Sequence, residues 1–70
     1  MFKLVIHTDN AAFGDSVMEH GAELARILRD IANRLEGGSI AGSARDMNGN
    51  NVGGYLITNN PVADNWGIKP

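Results

Sequence analysis

The chain has no cysteine, one Trp, one Tyr and two Phe, and no block of charge of either sign. Without thiols it can form neither a disulfide nor a thiolate metal site. Its six basic side chains are Lys3, Arg26, Arg29, Arg34, Arg45 and Lys69, scattered rather than clustered, and the formal net charge is -2. A nucleic-acid module normally carries a basic patch, so the composition disfavours nucleic acid as a partner. The eight acids are interleaved with bases, so an acidic mimic of nucleic acid is also disfavoured. No apolar run approaches the ~20 residues of a membrane span. The N-terminus lacks the basic-then-apolar pattern of a secretion signal. These absences point to a soluble, cytoplasmic protein with no membrane partner.

Seventy residues make one domain at most. A chain of this size buries only about 60% of its unfolded surface, and stabilising aids are usual. With disulfides excluded, a homodimer or another partner is the aid that remains.

Phe2 to His7 alternates as a strand, with Phe2, Leu4 and Ile6 on one face and Lys3, Val5 and His7 on the other. Asp9, Asn10 and Gly14 mark a connection, with Phe13 as its anchor on the core. Ser16 followed by Glu19 spells a capping box. Leu24, Ile27, Leu28, Ile31 and Leu35 then recur at helical spacing. Glu19, Glu23, Arg26, Arg29, Asp30, Asn33 and Arg34 fall on the solvent side, where Glu23 reaches Arg26 and Arg26 reaches Asp30. Gly21 weakens the first turn and suggests a late, frayed start. Gly37 and Gly38 end the helix through a left-handed cap.

Asp46-Met47-Asn48-Gly49 reads as a type I turn closed by a glycine, which makes a hairpin. Pairing Asp46 with Asn50 sets Ala44 opposite Val52, Gly42 opposite Gly54 and Ile40 opposite Leu56. A two-residue Asn48-Gly49 turn would instead oppose Arg45 to Val52 and Ser43 to Gly54, mixing polar with apolar. The first register is therefore expected. Glycines 42, 53 and 54 suit close packing, and Asn59-Asn60-Pro61 ends the third strand. The fold class is α+β: a β-α-β-β domain over residues 1–58, with one amphipathic helix on a three-stranded antiparallel sheet of order 2-3-1. Residues 59–70 form a C-terminal tail whose large apolar residues are Trp66 and Ile68.

On this arrangement Val5, His7, Tyr55, Ile57 and Met47 share the sheet face away from the helix, an interaction surface. Val5, Arg45, Tyr55, Ile57 and Trp66 are the expected contact residues. No catalytic constellation accompanies them, so the chain reads as a non-enzyme without metal or cofactor. His7 near Asp9 lacks a nucleophile to serve, and Ser16 with His20 lacks a third member. The carboxylate and amides at 46–50 lack the frame of a calcium loop, and Gly53-Gly54 opens no helix that would hold a phosphate. Tyr55 and Trp66 could stack bases, which leaves a small dimeric nucleic-acid-binding module lined by Lys3, Arg45 and Tyr55 as the alternative. A small enzyme would need a pocket between subunits.

Three strings carry a resemblance. Thr8-Asp9-Asn10-Ala11-Ala12-Phe13, the helix from Glu23 to Leu35, and the turn Arg45-Asp46-Met47-Asn48-Gly49-Asn50-Asn51-Val52-Gly53 are together similar to a group of short proteins encoded by bacteriophages and mobile elements. The resemblance spans roughly residues 2 to 57 and carries over no functional residues. It implies a phage accessory product. Small products of that kind often bind and disable a host protein or complex, as anti-CRISPR inhibitors do.

Overall fold

A computed structural model of the chain describes residues 1–58. Strand β1 (Phe2–Ile6) leads through a short 3-10 turn (Ala11–Phe13) to helix α1 (Val17–Glu36), then to strands β2 (Ala41–Arg45) and β3 (Asn51–Ile57). The sheet is antiparallel in the order β1-β3-β2, with the helix on one face, which is the expected α+β topology. The expected tail, residues 59–70, lies outside the described residues.

Capping sets the helix start. Ser16 Oγ accepts from the Glu19 N–H at 3.1 Å, and Glu19 Oε1 accepts from the Ser16 N–H at 3.2 Å. Both halves of the capping box are therefore made, satisfying two amides that the helix itself leaves open. The late start expected from Gly21 does not occur, because these caps outweigh its propensity cost. Gly14 precedes the box with φ +71°, and a Cβ there would stand 2.5 Å from Glu19 Cβ, so the capping glutamate needs a glycine beside it. At the other end Gly38, at φ +100°, takes the left-handed position. Ser39 N–H donates to Arg34 O and Gly38 N–H to Leu35 O, the two bonds of a Schellman cap.

The core forms where α1 meets the sheet and the 3-10 turn. It contains Phe13, Ile27, Ile31, Ala44, Val52 and Tyr55, flanked by Leu4, Ile6, Ala12 and Leu35. Phe13 anchors its loop as expected. The pairs Arg26–Glu23 (2.7 Å) and Arg34–Asp30 (2.9 Å) lie along the helix; Asp30 meets Arg34, not Arg26.

The hairpin begins in the expected register and then departs from it. Gly49 N–H donates to Asp46 O, Asp46 N–H donates to Asn50 O, and Arg45 stands opposite Asn51. Between Ala44 and Arg45 the ladder shifts. Beyond the shift Ala44 faces Gly53, Ser43 faces Gly54, Gly42 faces Tyr55 and Ala41 faces Leu56. The expected pairs Ala44–Val52, Gly42–Gly54 and Ile40–Leu56 are not formed. The reason is core packing. Val52 and Tyr55 are both buried in the core yet stand three residues apart. A regular strand would send them to opposite faces. Leaving Val52 as the extra residue of a bulge turns both toward the helix.

Two glycines make this possible. A Cβ on Gly53 would lie 1.9 Å from the Val5 carbonyl oxygen, so the bulge brings backbone onto backbone. A Cβ on Gly42 would lie 2.9 Å from Tyr55 Oη and 3.0 Å from Arg34 Nη1. Close packing was the expected role of the glycines, and at Gly42 the approaching group is a ring and a guanidinium.

Candidate functional site

The bulge decides which residues the open face of the sheet presents. Tyr55 is only 4% exposed and belongs to the core. Its hydroxyl shares a 2.6 Å hydrogen bond with Ser39 Oγ, and the Arg34 guanidinium lies 5.2 Å from its ring centroid. Tyr55 is therefore not a contact residue on the open face, contrary to expectation. Ile57, two residues on, shares the helix side and is partly buried. The register slip that moved both brings Leu56 onto the open face in their place.

The open face consists of two cross-strand rows. Lys3, Leu56 and Ala41 form one, and Val5, Gly54 and Ser43 form the other. Val5 is 40% exposed and stays where the alternation of β1 put it. Arg45 continues the Ala41–Ser43 alternation at the turn end, where its Nη1 donates to Gly49 O at 3.1 Å. Of the expected contact residues, the sheet thus brings Val5 and Arg45 onto this side and takes Tyr55 and Ile57 away. Trp66 lies outside the described residues. His7 is exposed at the end of β1. Met47 is exposed at the hairpin tip, beside the helix rather than on the open face.

A second feature was missed from sequence. A groove of about 530 Å³ runs between the 3-10 turn, the first half of α1 and the hairpin tip. Ala11, Ala12, Ala22 and Met47 line it together with Glu19, Glu23 and Arg26. Glu23 was expected on the solvent face but is only 4% exposed. The hairpin tip folds over it, and Met47 N–H donates to Glu23 Oε2 at 2.7 Å. Arg26 donates to both of its oxygens, from Nε at 2.7 Å and Nη2 at 3.1 Å, and a further Arg26 Nη2 contact reaches Arg45 O at 2.9 Å. Asp46, equally buried, accepts from the Asn48 and Asn50 N–H groups at 2.9 Å and from Asn10 Nδ2 at 2.8 Å. An acid flanked by turn residues carries a sequence signal for such a staple. Glu23 carries none, because its partner comes from the far hairpin.

Both carboxyls titrate below their ordinary range. The Arg26 hydrogen bond lowers that of Glu23; burial opposes it and the Met47 N–H adds to it. Burial alone would raise that of Asp46, but the Asn50, Asn10 and Asn48 donors together outweigh it. A carboxylate held in this way is a weak base and remains ionised at neutral pH, which suits a structural clamp more than proton transfer. Ser16 and His20 are separately engaged: Ser16 Oγ caps the helix, and the His20 ring packs 5.5 Å from that of Phe13. Among the described residues no three His, Cys, Asp or Glu side chains converge as a metal site requires. No helix among them is long and apolar enough to cross a membrane.

Comparison with protein-family models, curated proteins and solved structures finds no match to this chain.

Proposed function

We propose that this chain works without chemistry of its own, by protein–protein contact, as an accessory protein of the type that phages and mobile elements encode. The observation that carries the reading is the sheet face opposite α1. Val5, Leu56 and Ala41 stand on it around Gly54 and Ser43, with no layer of the described chain across them. A patch with small residues at its centre, apolar residues around them and Lys3 at its β1 edge suits a complementary protein surface. Arg45 at its turn end supplies a charge for orientation and partner choice.

The partner in this reading is a host protein or complex in the cytoplasm, and inhibition of a host defence complex, as by an anti-CRISPR protein, is its most specific form. The accessory-protein context rests on the resemblance of the 8–13, 23–35 and 45–53 strings. A homodimer through the same face is compatible with the small core. The nucleic-acid alternative has less support, because Tyr55, one of the two rings that were to stack bases, is in the core.

Affinity capture of the tagged chain from host lysate, beside a Leu56→Glu variant, tests the reading. The expected result is one host complex retained stoichiometrically by the parent chain and lost by the variant. Retention of nucleic acid, or of the same proteins by both chains, overturns the assignment of this face.

A further inference from the structure

The sheet has two edges, and they are not alike. In an antiparallel ladder, residues exchange backbone bonds with the neighbouring strand at alternate positions. Thr58 N–H donates to Met1 O at 2.9 Å, Thr58 O accepts from the Met1 amino group at 2.6 Å, and His7 N–H donates to Val52 O at 2.6 Å. With the β1–β3 register, these bonds turn the backbone groups of Met1, Lys3, Val5 and His7 toward β3. Those of Phe2, Leu4 and Ile6 point the other way, out of the edge, where no strand of the described residues stands.

On β2 the bond from Ile57 N–H to Ile40 O, at 2.7 Å, sets the alternation that leaves Ala41, Ser43 and Arg45 facing outward. Two of those three carbonyls are already engaged. Ser39 Oγ donates to Ala41 O at 3.0 Å, and Arg26 Nη2 donates to Arg45 O at 2.9 Å. The chain thus blunts β2 with its own side chains. β1 has neither a proline nor a bulge, and its one charged residue is Lys3.

We infer that β1 pairs with β1 of a second copy, antiparallel, about a two-fold axis at Leu4. That register sets Leu4 opposite itself and Phe2 opposite Ile6 of the second copy, so every outward N–H and C=O of the strand meets a partner. On the open side it sets Lys3 opposite Val5 of the second copy. An axis at Lys3 would set two ammonium groups against each other, and an axis at Val5 would leave Phe2 beyond the end of the other strand. On the helix side Phe2, 48% exposed in one copy, gains Ile6 of the second as an apolar neighbour. The product is one six-stranded sheet with both helices on the same side. Helix α1 lies nearer β2 than β1, away from the junction. A chain with so small a core gains from this extension. The inference goes beyond the proposed function: it uses the edge of the sheet and leaves the open face to a partner. Neither depends on the other.

Sedimentation of the purified full chain tests the pairing. Its mass should rise with concentration from 7.5 kDa toward twice that value. Val5→Glu places a carboxylate opposite Lys3 of the second copy at two symmetric positions, and should lower the dimer dissociation constant several-fold. Val5→Lys should raise it several-fold, with far-ultraviolet circular dichroism unchanged in both. The chain has no cysteine, so single-cysteine variants report the register even if a charge variant fails to fold. Position 3 faces position 5 of the second copy with Cα atoms about 4.5 Å apart, whereas like positions stand diagonally at about 7–8 Å. Lys3→Cys and Val5→Cys chains, mixed under mild oxidation, should therefore cross-link several-fold faster than either alone. A parent chain that stays monomeric up to millimolar concentration overturns the inference. So does a dimer that Val5→Glu weakens, which would be one closed through the open face. Cross-linking of either single variant as fast as the mixture overturns it too.

Discussion

The Met47 N–H at the hairpin tip donates to Glu23 Oε2 on the helix at 2.7 Å, locking the second half of the chain to the first. Removing that acceptor leaves a partly buried amide and one side of Arg26 without a partner. Glu23→Ala is expected to cost about 1–3 kcal/mol, read as a lower urea midpoint with unchanged slope. Asp30→Ala, which deletes an exposed pair with Arg34, should cost no more than ~0.5 kcal/mol. Equal losses in the two variants would remove the clamp role from Glu23.

Acid should weaken the fold through the same region. Glu23 and Asp46 both have folded-state pKa values below their ordinary ones. The unfolded chain therefore takes up their protons first as pH falls. Their contribution is complete above the ordinary carboxylate values near ~4 and is lost as pH drops through the depressed ones. Urea midpoints measured from neutral pH downward should hold level and then decline below about pH 4. Asp46→Asn should start lower at neutral pH and decline less. A decline that begins well above about pH 4 would take the acid sensitivity away from this pair.

Two glycines should respond in opposite directions. A Cβ on Gly21 meets nothing within 4 Å, so Gly21→Ala should stabilise the helix by about 1 kcal/mol. Gly53→Ala forces a methyl group onto the Val5 carbonyl, and a loss at the upper end of the ~1–3 kcal/mol seen for overpacking is expected. Thermal unfolding of both variants beside the parent chain checks the pair.

Tyr55 can be dissected by size and by hydroxyl. Tyr55→Phe deletes only the bond to Ser39 and should cost about 1 kcal/mol. Tyr55→Ala opens a core cavity and should cost ~3–5 kcal/mol, enough to unfold a domain this small. It therefore cannot serve as a clean test of partner binding. If circular dichroism of Tyr55→Ala shows a fully helical, stable chain, the core placement of the ring is wrong.

The elements were legible in the sequence because each has a local cause. Ser16 with Glu19 marks the helix start, Gly37-Gly38 its end, and Asp46 to Gly49 the turn. Strand order followed from short connections. The faces of β3 were not legible past Asn51. Gly53-Gly54 is compatible with a bulge but does not say which neighbour is surplus; the bulge falls at Val52 because Val52 and Tyr55 both pack under the helix. The misplacement of Tyr55 and Ile57 follows from that one residue. The burial of Glu23 was hidden for a related reason: its helix position reads as solvent-facing until a hairpin more than twenty positions away folds over it.

The bulge also ties what β3 shows the outside to a count of residues rather than to their character. Removing Val52 would leave a regular ladder in which Arg45–Asn51, Ala44–Gly53 and Gly42–Tyr55 stay paired, so everything that follows would keep its side and only the Val52 side chain would be lost from the core. Removing Gly54, past the bulge, would instead drive Leu56 under the helix and turn Tyr55 and Ile57 out to solvent. Point changes along the open face can alter a binding surface by degrees. A one-residue insertion or deletion past the bulge would turn the rest of the strand inside out, so this short stretch should tolerate new letters far better than a new length.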